Sequence, residues 1–168
     1  MREKLTKQDM EKIKAEIEHR KIVVRKAALE AVKEARAHGD LSENFEYHAA
    51  KKDKNQNESR IRYLERILKT ALVVTDNSDK DEVGLNKTVI VYIENDSEYE
   101  TYKIVTSIRG NSLKGLISIE SPVGKSLLGH KVGDRVFISI NEKVGYYVKI
   151  MEITNSNDSI EGECIRRY

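Results

Sequence analysis

The chain has 168 residues, of which 39% are hydrophobic and 35% charged, and a net charge of +2. That length makes one domain or two small ones with a modest core. No apolar run approaches the roughly 18 residues of a membrane span, the charged start MREKLTKQD lacks a signal-peptide core, and a single cysteine, Cys164, excludes an intramolecular disulfide and a cysteine-based zinc site. A cytoplasmic protein without a membrane partner is expected.

Thr6 is a candidate N-cap for a first helix, with Asp9 three residues on. Apolar residues at Met10, Ile13, Ile17, Val24, Ala28, Ala31 and Ala35 follow the three-and-four spacing of one helical stripe to about Ala37. Gly39 stops the run. Asp40 and Glu43 have the D-x-x-E form of a capping box, predicting a second helix from Ser42 or Glu43 to about Val73. Its stripe is Ala50, Ile61, Leu64, Leu68 and Leu72, and its polar middle, Lys51 to Ser59, predicts loose packing halfway along. Two helices of about 30 residues make an antiparallel hairpin on the order of 45 Å long, with Asp40, Glu43 and Glu46 at its far end. The half from Met1 to Thr75 holds 18 Lys/Arg against 13 Asp/Glu, hence +5, and the remainder 12 against 15, hence −3. The hairpin is the basic half.

Composition changes in the polar stretch Thr75 to Lys80. From Thr88 the pattern has period two, TVIVYI then EYETYKIVTS across an ENDS turn, which predicts a β-hairpin. GLISIE follows as a third strand. Ser121-Pro122 places an N-cap before a proline at the first helical position, so PVGKSLL reads as a short helix closed by Gly129. RVFISI and YYVKIMEI complete five strands, with Tyr146 and Tyr147 on opposite faces and at least one of them in the core. The expectation is an α+β chain: a coiled-coil hairpin over 1–75, a linker over 76–82, a small antiparallel β-sheet domain with one short helix over 83–153, and a polar tail over 154–168.

GDLSENFEYHAA at a helical turn, followed in order by SPVGKSLLGHKVGD in a β-rich second half, resembles the bacterial transcript-cleavage factors GreA and GreB over nearly the whole chain. The resemblance implies a coiled coil that enters the secondary channel of bacterial RNA polymerase and an FKBP-like domain that docks outside it. It implies that the polymerase's own active site then cleaves RNA whose 3′ end has backtracked, so that the factor is not an enzyme by itself. The matching tip carboxylates are Asp40 and Glu43, which would share a magnesium ion with the polymerase site; no cofactor of its own is implied. Hard carboxylate oxygens suit magnesium, but one or two of them do not build a site alone. Arg36, Lys51 and Lys52 flank the tip and would contact extruded RNA phosphates, while Glu120, Ser121 and Pro122 match the polymerase-docking segment. The family works as a monomer in its complex. FKBP-like shape by itself does not imply prolyl isomerase activity.

Phe45 stands where the family usually has a small residue, Gln56 and Ser59 replace apolar and glycine positions, and the linker lacks its usual proline. These departures keep open a noncatalytic channel regulator or inhibitor of polymerase. An autonomous magnesium-dependent nuclease is the alternative from another class. Taken on their own, Asp40 and Glu43 are also explained as capping residues. His38 and His48 flank the acidic tip and raise a private metal site, though without a recognised zinc spacing. Tyr47 either stacks on a nucleotide or seals the end of the coiled coil.

Overall fold

The computed structural model describes residues 2–39, 43–155 and Ile165. Expectations placed on Asp40, Ser42 and Cys164, and those on the tail beyond Asn155 other than Ile165, lie outside the described residues. The chain packs as two compact units, Lys7–Leu72 in one and Glu3–Thr6 with the chain from Val73 onward in the other. Residues 3–6 join the second unit partly because Val74 N–H donates to Leu5 O at 2.8 Å.

In the first unit the chain rises through α1 (Lys7–His19), a π-helical turn (Arg20–Val24) and α2 (Arg25–Ala37), and returns through α3 (Phe45–Thr70). Ile13, Ile17 and Ala35 from the first stripe and Ile61 and Leu64 from the second are buried, as is Ile67 beside the second stripe, while Leu68 is half-buried. Ala31 is exposed instead of sharing the stripe, and Val32 takes a half-buried place. A π turn bonds i to i+5 and so slips the phase of the helix that follows it.

Two sequence expectations need correction. The second helix begins at Phe45 rather than Ser42 or Glu43, because Asn44 (φ −77°, ψ 83°) is the N-cap and its side chain accepts from Tyr47 N–H. It ends at Thr70 rather than Val73: Ala71 is already extended (ψ 148°), and the run Leu72-Val73-Val74-Thr75 is rich in β-branched residues that favour extended backbone. Leu72, assigned to the stripe, is consequently 45% exposed.

The polar middle of α3 is not loose. Asn57 and Arg60 are buried; Asn57 accepts from Arg20 Nη1 at 3.2 Å and donates to Arg20 O at 3.3 Å. Arg60 Nε donates to Glu16 Oε1 at 3.1 Å, and Arg20 Nε donates to the same oxygen at 2.8 Å. Arg25 adds a bidentate pair with Glu58 at 2.6 and 2.8 Å. Buried polar groups that find partners in this way specify a register as firmly as apolar ones.

In the second unit the five-stranded sheet has the order β5-β4-β3-β7-β6, made of β3 (Lys87–Ile93), β4 (Glu98–Val105), β5 (Leu116–Ser118), β6 (Arg135–Ser139) and β7 (Gly145–Asn155); β1 (Lys4–Leu5) and β2 (Leu72–Val73) are two-residue strands outside it. The sheet is mostly antiparallel, as expected, with one pair departing: β4 and β5 run parallel, with Ile104 opposite Ile117. Two 3₁₀ turns, Ser107–Arg109 and Ser112–Lys114, supply the crossover that a parallel neighbour requires. One face of the sheet, with α4 (Pro122–Leu127), encloses Val89, Val91, Ile104, Leu127, Val136, Ile138, Val148 and Ile150. The other face is solvated. Tyr146 packs against the core, whereas Tyr147 faces out beneath the Arg135 guanidinium, 3.7 Å from its ring centroid. That alternation is the period of two read from the sequence.

Candidate functional site

α2 closes at the turn with His38 N–H donating to Ala35 O and Gly39 N–H to Arg36 O, at 3.2 and 3.1 Å. Gly39 has φ +128°, a conformation that side chains rarely adopt, which is why glycine stops the helix there. Across the turn Asn44 binds three ways: its Oδ1 accepts from Tyr47 N–H at 3.1 Å, and its Nδ2 donates to Ala35 O at 2.9 Å and to Gly39 O. A single short amide thus caps α3 and ties it to the last turn of α2.

This geometry separates the capping task from the carboxylates. Glu43 lies in the turn, exposed, with its backbone O accepting from Phe45 N–H at 3.0 Å. Its carboxylate is not the cap, and among the described residues it has no hydrogen-bond partner. Asp40 lies outside the described residues. Glu46 turns to His38 Nδ1 at 3.0 Å, an exposed pair. Among the described residues no three His, Cys, Asp or Glu side chains are grouped to hold a metal ion.

Arg36, Lys51 and Lys52 are all exposed. Lys51 Nζ stands over the Tyr47 ring at 5.1 Å, and the His48 ring lies 5.9 Å from it. Tyr47 is half-buried and so engaged, while Phe45 is 80% exposed.

The residues expected to dock fall at the start of α4 and do different things. Ser121 Oγ accepts from Gly124 N–H at 3.0 Å and donates to Ser118 O at 2.7 Å, so its hydroxyl is committed to the cap. Pro122 occupies the first turn and is exposed. Glu120 is held by Lys4 at 2.7 Å and Lys125 at 3.4 Å; the Lys4 hydrogen bond chiefly holds its carboxyl below the usual value. A Cβ on Gly124 would sit 2.0 Å from Ser118 O, so only glycine lets α4 approach β5 this closely.

Sequence reading missed Asn44. The signal was there, since Asn is among the best N-caps and stands directly before a helical run, but the D-x-x-E spacing of Asp40 and Glu43 offered a competing start. The part-buried network of Glu16 and Arg20 with Asn57 and Arg60 was also missed, because its two halves are 37 to 44 residues apart in sequence.

Two family descriptions match: "Transcription elongation factor, N-terminal" over residues 3–73 and "Transcription elongation factor, GreA/GreB, C-term" over residues 78–155. The chain is 41% identical to transcription elongation factor GreA of Macrococcus caseolyticus across 89% of this chain and 95% of that protein. Its identity to GreA of Lachnoclostridium phytofermentans is 44%, across 91% and 96%. Among solved structures it is similar to GreA factor homolog 1 (Gfh1) protein of Thermus thermophilus, at 28% identity over 91% of this chain and 99% of that one, with a TM-score of 0.42. With both halves matched in order and relatives aligned along most of their length, the chain belongs to the GreA/GreB family of transcription elongation factors.

Proposed function

We propose that the protein binds bacterial RNA polymerase as a monomer, inserts its helical hairpin into the secondary channel and stimulates the polymerase's own cleavage of backtracked RNA. The observation that carries this reading is the division of labour at the turn: Asn44 caps α3, which leaves the Glu43 carboxylate exposed. A carboxylate needed only for capping would be bonded to the helix start.

In this reading Asp40 and Glu43 offer carboxylate oxygens to a magnesium ion shared with the polymerase site, which supplies Lewis-acid stabilisation and a more acidic water for phosphodiester hydrolysis when bound. Asn44 holds Glu43 in place by fixing the turn. Arg36, Lys51 and Lys52 counter the phosphates of the extruded RNA. Glu120 and Pro122 meet the polymerase outside the channel, with Ser121 keeping the segment in shape through its cap. A factor with so few ligands is inert alone and is not a nuclease in its own right.

The test is a backtracked elongation complex with end-labelled RNA, incubated with no factor, the wild type or the Asp40→Asn/Glu43→Gln variant. Wild-type acceleration of roughly a hundredfold that vanishes in the variant is expected, the scale of losing preorganised charge at a reacting centre. Suppression of intrinsic cleavage by the wild type would make the protein a channel inhibitor. Cleavage of naked RNA without polymerase would make it a nuclease.

A further inference from the structure

Phe45 is more exposed than any other aromatic residue described, at 80%, yet it does not sit on a loop able to fold inward. It is the first residue of α3, its N–H is bonded to Glu43 O, and the residue before it is held to Tyr47, Ala35 and Gly39. The ring is therefore presented to solvent by a fixed helical turn. Tyr47 already faces Lys51 and His48, whereas among the described residues no ring or cation is set against Phe45.

The surroundings discriminate between partners. Phe45 is not part of an apolar patch along the chain: the residues before and after it carry exposed charges of both signs, Glu43, the Glu46 and His38 pair, Lys51 and Lys52. That setting suits a ligand that is planar, apolar on its faces and anionic at its edge. A nucleotide has this form, and every base offers a π face to an aromatic ring whatever the sequence. Glu43 lies only two residues before Phe45, so a base on the ring brings its phosphate near the carboxylate.

We infer that Phe45 stacks on an unpaired nucleobase at the extruded 3′ end of the RNA and thereby selects which backtracked nucleotide lies against the Glu43 carboxylate. The inference rests on the cleavage reading above and adds to it a specificity-determining residue.

The experiment compares wild type, Phe45→Ala and Phe45→Tyr on elongation complexes backtracked by a defined register, with normal RNA and with RNA made abasic at successive extruded positions. Rates are taken at saturating factor, half-saturating concentrations are recorded, and thermal unfolding checks each variant. On normal RNA, Phe45→Ala is expected to slow cleavage about tenfold, the scale of one base–aromatic stack, with an unchanged half-saturating concentration, while Phe45→Tyr stays within about twofold. Removing the stacked base should bring the wild type down to the Phe45→Ala rate and leave the substitution without further effect. The inference is overturned if Phe45→Ala matches an active wild type, or if it loses the same factor on abasic as on normal RNA, since the ring would then be meeting protein. A wild type that accelerates cleavage on no RNA would instead remove the cleavage reading, and this inference with it.

Discussion

At the scale of single residues, Asn44 organises the tip. Its amide satisfies one orphan donor of α3 and two carbonyls around the end of α2, so its loss exposes three groups at once. Asn44→Ala is expected to lower stability by about 1–2 kcal/mol, read as a reduced unfolding temperature, and to lower cleavage stimulation because Glu43 is no longer held. Asn44→Asp keeps the cap acceptor but has no amide N–H for Ala35 O and Gly39 O. It should therefore recover part of the melting temperature and less of the cleavage. An alanine variant that melts with the wild type would show that the turn is held by something else.

At the scale of elements, the hairpin is stapled midway by charge. Burial raises the Glu16 carboxyl, but the hydrogen bonds from Arg60 and Arg20 outweigh it, and the net direction is below the ordinary value of 4.5. A carboxyl depressed in the folded state contributes stability that is complete above its unfolded value and is lost as pH falls through the folded one. Acidification below about 4.5 should accordingly loosen the hairpin. Glu16→Gln removes the charge and is expected to cost roughly 1–2 kcal/mol at neutral pH, a difference that shrinks in acid as wild-type Glu16 is protonated. Thermal melts of both proteins from about pH 7 to about pH 3 check this; a gap that is constant across that range would rule Glu16 out. The π turn at Arg20–Val24 belongs to the same device, since Arg20 is both its first residue and a partner of Asn57.

At the scale of the whole molecule, the charge asymmetry is the property with a measurable consequence. The half from Met1 to Thr75 is +5 and the remainder −3, so a net charge of +2 conceals a basic hairpin. If that hairpin enters a channel containing RNA, association should be steered by charge and screened by salt. The factor concentration giving half-maximal cleavage is expected to rise roughly tenfold between about 50 and about 300 mM salt, with the saturated rate changing far less. A half-saturating concentration indifferent to salt would deny the charges a part in binding.

What the sequence by itself determined was whatever depends on neighbours along the chain. Helical spacing marked Ile13, Ile17, Ile61 and Leu64 as core, alternation marked the strands and put Tyr146 and Tyr147 on opposite faces, and Ser121-Pro122 announced α4, each being a local rule of period or capping. The ordered run GDLSENFEYHAA and SPVGKSLLGHKVGD was enough to place the family. Tertiary structure decided what depends on residues brought together from afar. Asn57 and Glu58 meet Arg20 and Arg25 only when the hairpin closes, so a stretch read as loosely packed is pinned by part-buried polar contacts. Ile104 pairs with Ile117 in parallel because a compact crossover returns the chain to the same edge, which no period in the sequence encodes. At the tip, the D-x-x-E spacing of Asp40 and Glu43 pointed to a start at Ser42 or Glu43, whereas the cap is Asn44. Asn44 also reaches the carbonyls of Ala35 and Gly39, a contact across the turn that no local spacing encodes, and the Glu43 carboxylate stays exposed.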